Sequence, residues 1–291
     1  MNTTIEAPAD ARRERDAALC RSLIYEALSL GFRPPDARTL DRLAAPDAAA
    51  ALAEAAGYLD DEAPYPAELG QGRLAPLVRA LPRAADARAV DMLMMSHLRL
   101  FGHTVRGPVP AYETEYGEDT LFQKPQEMSD IAGFFSAFGL VLDPRGHERI
   151  DHISCELEFL AFLCRKEAHA LETGEAEMRE ATRRATRLFL RDHLARFAPS
   201  FARRACAADP AGFYGRLSLL CLDFVRSECR RCDVPVGPEM LRLREPIDDG
   251  APIACGAPGG CGVPGPCGPG VDAEAGPDGG PAAGPPDRAG G

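Results

Sequence analysis

Several residue types and patterns are scarce in this sequence of 291 residues. Tryptophan is absent, so recognition of sugars or methylammonium groups by an indole ring is excluded. Lysine occurs at only two positions, Lys124 and Lys166. Basic residues are outnumbered, with 33 Lys and Arg against 44 Asp and Glu, and the formal net charge is −11. Nucleic-acid-binding proteins need a basic face. We therefore predict no nucleic-acid partner, and an acidic surface that attracts cationic partners.

Long apolar runs are also missing. No segment approaches the roughly 18 consecutive apolar residues that cross a bilayer, which predicts no membrane insertion. Arg12 and Arg13 resemble the start of a twin-arginine export signal, but Glu14, Arg15 and Asp16 follow in place of an apolar stretch. We expect the protein to stay in the cytoplasm, where its ten cysteines are thiols or metal ligands rather than disulfides.

Apolar residues follow helical spacing along most of the chain. The stretch from Asp151 to Cys164 has apolar residues at three- and four-residue intervals, and its later turns are apolar on nearly every side. Such a helix is typically central in a bundle, while its first turns carry ionisable groups. Another predicted helix runs from Arg179 to Phe197 and is stopped by Pro199. No stretch has the alternation of a β-strand. We predict an all-α fold, a single globular bundle of about eight to ten helices.

Composition divides the chain into three parts. Residues 1–9 are predicted to be a disordered leader, and residues 10–245 an all-helical domain. After about Glu245 the sequence is dominated by Gly, Pro and Ala and has no hydrophobic periodicity, so it cannot bury enough apolar surface to fold. Residues 246–291 are therefore predicted to be a flexible Gly/Pro-rich tail, which carries Cys255, Cys261 and Cys267.

Catalytic signatures are incomplete in this sequence. His147-Glu148 followed by His152 resembles a zinc-protease helix, but its two histidines are five positions apart instead of four and point to different sides of a helix. His152 and Glu156 are four apart and share one face, so they could bind a metal or exchange protons. The structural alternative is a histidine at a helix start that bonds a carboxylate. We predict no catalytic residues and no enzymatic activity.

The segment Tyr112-Glu113-Thr114-Glu115-Tyr116 combines two aromatic rings with two carboxylates in a loop flanked by prolines. Tyrosines bury contact area, and carboxylates receive arginines in a bidentate manner. The segment is either a recognition surface or an ordinary surface loop anchored by its tyrosines, and the residues alone favour neither interpretation.

Cysteines near the end of the chain form a second candidate site. Cys229 and Cys232 have the Cys-x-x-Cys spacing that chelates zinc or iron, and the tail supplies further thiols at Cys255, Cys261 and Cys267. The alternative is that the first two are incidental thiols at a helix end. A protein that binds Zn or an Fe–S cluster, or a thiol-redox accessory protein, is thus one possible function. No other cofactor is expected.

Three segments, taken in order, resemble one known family. They are residues 112–117 with 125–140, then Asp151-His152 leading into Glu156-Leu157-Glu158-Phe159-Leu160, then Phe189-Leu190-Arg191-Asp192-His193-Leu194 and the chain that follows to Glu228. This set resembles the TorD/DmsD/NarJ family, the chaperones that mature molybdenum-containing oxidoreductases. One position departs from the family pattern, because Arg149-Ile150 precede Asp151 where a proline is usual.

The resemblance implies a TorD-like helical bundle without catalytic activity. It implies a cytoplasmic, system-specific chaperone that binds the twin-arginine leader or the apo form of the catalytic subunit of a molybdopterin-dependent oxidoreductase. Such a chaperone assists cofactor insertion and delays export. An acidic surface suits a leader that carries two arginines and an apolar stretch. The expected peptide-binding residues are Tyr112, Glu113, Glu115, Tyr116, Asp151, His152 and Glu156.

Overall fold

A computed structural model describes residues 9–62, 73–81, 87–103, 106–118, 123–143 and 148–245. These residues form ten α-helices, α1 (Ala9–Phe32), α2 (Ala37–Ala44), α3 (Pro46–Glu62), α4 (Leu74–Arg79), α5 (Ala87–Phe101), α6 (Gln123–Ala137), α7 (Ile153–Thr173), α8 (Ala176–Phe189), α9 (Ala195–Ala208) and α10 (Phe213–Arg231). A 3-10 turn covers Glu113–Glu115, and a π-helical turn covers Leu190–Leu194. Within these ranges the only β-pairing is in isolated bridges, so the all-α prediction is confirmed. None of the described helices combines the length and hydropathy that a bilayer span needs.

Two predicted segments fall mostly outside the described ranges. The predicted leader, residues 1–9, lies outside them except for Ala9, which begins α1. The predicted tail, residues 246–291, lies outside them entirely, together with Cys255, Cys261 and Cys267. The described residues up to Glu245 belong to one compact unit. The three-part division of the chain stays a prediction.

Helix α7 is wrapped by its neighbours, as its apolar pattern predicts. It packs most extensively against α1, and it also packs against α8. Phe159 of α7 stacks on Phe135 of α6, with ring centroids 4.8 Å apart, and meets Phe189 of α8 edge-on at 4.8 Å. Aromatic rings in such arrangements bury a large apolar area. The helix ends at Gly174, whose φ of +75° is a left-handed conformation that glycine adopts without strain.

The prediction that a helix stops at Pro199 is wrong. Helix α9 continues to Ala208 with Pro199 inside it. Proline has no N–H, so it leaves the carbonyl of Ala195 without a helical donor. Gly237, from the chain after α10, donates its N–H to that carbonyl at 2.9 Å. A Cβ at position 237 would lie 2.4 Å from the same oxygen, so this contact requires glycine.

The chain after α10 returns to the bundle as an extended segment, residues 234–245, which we call the C-terminal strap. The Leu241 N–H donates to the hydroxyl of Ser200 on α9 at 3.0 Å. Further along, the Arg244 N–H donates to the Glu115 carbonyl at 3.0 Å. The strap therefore connects α9 to the segment that carries the predicted peptide-binding residues.

Candidate peptide-binding site

The segment of residues 111–117, called the site loop below, is held on both sides by backbone hydrogen bonds. On one side the Glu113 N–H donates to the carbonyl of Asp151, just before α7, at 2.9 Å. On the other side the strap pairs with the loop through Arg244 and Glu115. Contacts with two distant parts of the chain, together with the local 3-10 turn of Glu113–Glu115, determine the shape of this loop.

Asp151 is fully buried beneath the site loop, and its carboxylate is satisfied there. It accepts from the Thr114 hydroxyl at 2.8 Å and from the Arg149 guanidinium at 2.6 and 2.9 Å. The same guanidinium lies over the Tyr112 ring, 4.9 Å from its centroid. Arg149, one of the two residues that stand where a proline was expected, thus holds this corner by charge and hydrogen bonds.

His152 is the N-cap of α7. Its Nδ1 accepts from the Ser154 N–H at 3.2 Å and lies 2.7 Å from the Ser154 hydroxyl, which satisfies one of the free N–H groups at the helix start. Burial first, and the charge of His97 next, lower the pKa of His152 to about 3. The ring is therefore neutral and carries its proton on Nε2, which lies 3.8 Å from the Glu148 carboxylate.

Glu113 and Glu115, which were expected to meet client arginines, are buried and already paired within the chain. Glu113 lies 3.1 Å from His193 Nδ1 and 3.4 Å from an Arg196 nitrogen. Glu115 accepts from Lys124 at 3.0 Å and lies 3.3 Å from the Arg106 Nε. Their direct contact with a peptide stays a prediction, and it requires that an internal cation move aside.

The two tyrosines of the site loop differ in exposure. Tyr116 is buried, and its hydroxyl donates to the Pro110 carbonyl at 2.7 Å. Tyr112 is partly exposed; its hydroxyl donates to Glu148 at 3.0 Å, and its ring meets His152 edge-on with centroids 5.0 Å apart. The structure therefore brings all the predicted residues together, but only Tyr112 among them reaches the surface.

Glu156 is fully buried in the first turn of α7, and within the described residues no donor reaches either carboxyl oxygen. Burial first, and then the negative charges of Glu113 and Asp151, hold its pKa well above the ordinary value. The buried acid therefore keeps its proton in the folded protein. Because His152 bonds Ser154 instead, the His152/Glu156 pair seen in the sequence does not act as a unit.

A cleft of about 920 Å³ lies beside the site loop, between α6 and the chain that joins α8 to α9. Glu113 lies beneath it, since the Glu113 carboxylate contacts two of the residues that line the cleft. The lining includes Gln126, Glu127, Asp130, Asp192, His193 and Arg196. The cleft is therefore a polar surface with three carboxylates, and it adjoins the predicted site.

The sequence interpretation missed the residues of this cleft. The one available signal is the dipeptide Asp192-His193, which repeats Asp151-His152 and lies inside a family-like segment. Nothing in the sequence predicts that Asp130 lies 3.2 Å from His193, because that contact joins elements far apart in the chain.

The cysteine site stays a prediction. Cys229 and Cys232 lie at the end of α10, and burial raises the pKa of the first thiol to about 12 and of the second to about 11. Burial thus favours thiols over the thiolates that bind metals. In the described part of the chain, no group of three His, Cys, Asp or Glu side chains could hold a metal ion. Cys255, Cys261 and Cys267 lie outside the described residues.

Known proteins resemble this chain over much of its length. A family model described as nitrate reductase delta subunit matches residues 45–203, more than half of the chain. The selenate reductase assembly chaperone protein of Thauera selenatis is 40% identical over 97 residues, which are 33% of this chain and 46% of that relative. The perchlorate reductase assembly chaperone protein of Dechloromonas aromatica (strain RCB) is 29% identical over 187 residues, 63% of this chain and 77% of that relative.

A third relative, the chaperone protein TorD of Vibrio cholerae serotype O1 (strain M66-2), is 28% identical over 155 residues, 52% of this chain and 68% of that relative. The match to the selenate reductase assembly chaperone protein spans less than half of that protein. No solved structure gives a significant match to the chain.

Proposed function

We propose that the chain is a maturation chaperone, because it belongs to the family of the nitrate reductase delta subunit. This membership confirms its resemblance to the TorD/DmsD/NarJ chaperones. The proposed client is the catalytic subunit of a molybdopterin-dependent oxidoreductase. The observation that carries the proposal is the set of relatives, which are named as assembly chaperones of selenate and perchlorate reductases. The proposed chaperone works in the cytoplasm without enzymatic activity, assists cofactor insertion and delays export.

The proposed binding surface for the client's twin-arginine leader consists of Tyr112 and the adjoining cleft. A formal charge of −11 favours encounter with a cationic leader. The phenol ring of Tyr112 supplies apolar contact area, and carboxylates of the cleft supply acceptors for arginine. The buried residues of the site loop and of the α7 start support this surface from below; they are Glu113, Glu115, Tyr116, Asp151, His152 and Glu156.

Co-expression with a client tests this proposal. The chain is produced together with the catalytic subunit of a molybdopterin-dependent oxidoreductase from the same organism, once with its twin-arginine leader and once without it. We expect the full-length client to co-purify with the chain, and its molybdenum content to fall when the chain is absent. If the complex no longer forms when the leader is removed, the chain binds the leader. If the complex still forms without the leader, the chain binds the body of the apo-subunit.

The salt dependence of the complex provides a control. Exposed charge pairs are screened by added salt, so binding through the cleft weakens as the salt concentration rises. A client that never co-purifies, and whose molybdenum content is unchanged without the chain, would contradict the proposed function.

A further inference from the structure

The end of the C-terminal strap lies along the site loop in a position suited to a bound peptide. We propose that residues 242–245, called the strap end below, are an internal ligand of the site loop, and that an extended, arginine-bearing segment of the client displaces them on binding. This inference rests on the proposed function, because it identifies what the client segment must replace. It adds a competitor within the chain to the surface formed by Tyr112 and the cleft.

Backbone hydrogen bonds attach the strap end to the site loop as a short antiparallel pair. The Gly117 N–H donates to the Arg242 carbonyl at 2.9 Å, and the Arg244 N–H donates to the Glu115 carbonyl at 3.0 Å. An antiparallel bridge lies between these two bonds. Peptides that add to a strand edge bind in this arrangement. Because the bonds use backbone groups only, another extended segment fits the same edge of the loop.

The side chain of Arg244 anchors the strap end. It is 1% exposed and donates to both carboxylate oxygens of Glu127 on α6, at 2.9 and 3.0 Å. Glu127 also lines the cleft, so a peptide that binds in the cleft meets this ion pair. A buried carboxylate that loses its cation is strongly destabilised. A competitor must therefore bring its own cation to Glu127, and a guanidinium makes the same two bonds.

The strap is attached by few buried groups. Among residues 234–245 only Val234 and Arg244 are buried. The Arg244 Nε is buried but has no hydrogen-bond partner within the described residues, which is unfavourable. Segments with few buried apolar contacts open at a low free-energy cost. The last described helix, α10, ends at Arg231, so release of the strap end unwinds no described helix.

An internal ligand also makes the site selective. The apparent affinity of a client segment is reduced by the fraction of molecules in which the site is open. A neutral extended peptide can replace the backbone bonds of the strap end but leaves Glu127 without a cation. Such a peptide therefore does not compete with the strap end, whereas a segment that carries an arginine does.

Calorimetry on the full-length chain tests this competition. The ligand is a synthetic leader peptide with two adjacent arginines before an apolar stretch of about ten residues. Arg244→Met removes the anchor of the strap end and keeps its backbone. We expect this variant to bind the peptide about tenfold more tightly than the wild type, or about 1.4 kcal/mol, because the strap end no longer competes for Glu127.

The matched control is Arg242→Met, which removes the same charge from the strap end. The Arg242 side chain is 71% exposed and pairs with Glu245, so its loss should leave the affinity within about twofold of wild type. Circular dichroism establishes that both variants are folded at the temperature of the titration. Equal affinities of the folded Arg244→Met and Arg242→Met variants for the leader peptide would overturn the inference.

Amide hydrogen exchange in the wild type tests the inference without any substitution. At saturating leader peptide, we expect the Arg244 N–H to exchange at least about tenfold faster, because its bond to Glu115 is broken. The Gly117 N–H should remain protected, because a carbonyl of the peptide replaces that of Arg242. If the Arg244 N–H is as protected with the bound peptide as without it, the strap end stays in place and the inference is wrong.

A peptide with the strap's own sequence separates this inference from the proposed function. In an NMR titration, a synthetic peptide of residues 238–245 should bind the Arg244→Met variant, and the same peptide with the Arg244→Met change should not. Strap-peptide binding without any leader binding would refute the proposed leader surface and support the internal ligand. Leader binding that is equal in wild type and Arg244→Met, without strap-peptide binding, would refute the internal ligand and support the proposed function.

Discussion

Replacing Glu156 by glutamine tests the buried proton at the start of α7. Glutamine has the shape of a protonated glutamic acid but cannot lose a proton. In the wild-type protein burial, and then the charges of Glu113 and Asp151, raise the pKa of Glu156 above its ordinary value of 4.5. Between the ordinary and the raised pKa, the folded state therefore binds more protons at this position than the unfolded state does.

The sign and size of the effect follow from that difference. The stability contributed by the protonated acid is complete below about pH 4.5 and is lost as the pH rises toward the raised pKa. Within that window each pH unit lowers the free energy of unfolding of the wild type by up to about 1.4 kcal/mol. Glu156→Gln removes this loss. We expect the variant to resemble the wild type near the acidic end of the window and to become progressively more stable than the wild type at higher pH.

Urea denaturation followed by circular dichroism, at several values between about pH 5 and pH 8, measures this difference. The control is Glu158→Gln on the same helix, because Glu158 is 58% exposed and pairs with Arg33 at the surface. Its effect on the free energy of unfolding should not change systematically with pH. If the difference between Glu156→Gln and wild type is the same at every pH, Glu156 is ionised in the folded protein and the reasoning is wrong.

Three further predictions concern single residues of the site and the strap. Because the pKa of His152 is lowered to about 3, its imidazole NMR signals should not titrate between about pH 5 and pH 8. Below about pH 6.5 this histidine is protonated only in the unfolded chain, so stability should fall as the pH falls. A titration midpoint near the ordinary value contradicts the capping role. The Arg244 side chain is 1% exposed and donates to the buried Glu127 carboxylate twice, at 2.9 and 3.0 Å. Arg244→Met removes both bonds and should cost about 3 kcal/mol of unfolding free energy. Arg242→Met, at a side chain with 71% exposure, should cost under about 0.5 kcal/mol; equal losses would refute the buried pair. Gly237→Ala places a Cβ 2.4 Å from a carbonyl oxygen of α9 and should lower the free energy of unfolding by about 1 to 3 kcal/mol. Gly57→Ala inside α3, with nothing within 4 Å of the new Cβ, should raise it by about 0.5 to 1 kcal/mol. Thermal or urea unfolding that ranks the two variants in the opposite order contradicts the strap contact.

The helices could be predicted wherever the deciding interactions are local. The apolar spacing of α7 follows from the geometry of one helix, and Gly174 ends that helix by its own backbone preference. The same local reasoning failed at Pro199, because the hydrogen bond that proline removes is replaced by Gly237 from a remote part of the chain. A rule that considers neighbours in sequence cannot include such a donor.

The candidate site could be predicted only in part for the same reason. Residue types and motif order placed Tyr112 and Asp151 in one functional region, and the structure brings them together. Their exposure could not be predicted. Glutamate is usually a surface residue, yet Glu113 is buried because His193 and Arg196 approach it from another part of the bundle.

The sequence by itself determined the helical class, the central place of α7, the acidic balance of charge and the family. These properties depend on spacing along the chain, on composition and on ordered motifs, which packing does not change. Only the tertiary structure decided which ionisable groups are buried, that burial raises the pKa of Glu156, and that Asp130 lies 3.2 Å from His193. Burial and pairing arise from contacts between distant segments, and the electrostatic properties of a side chain follow from those contacts.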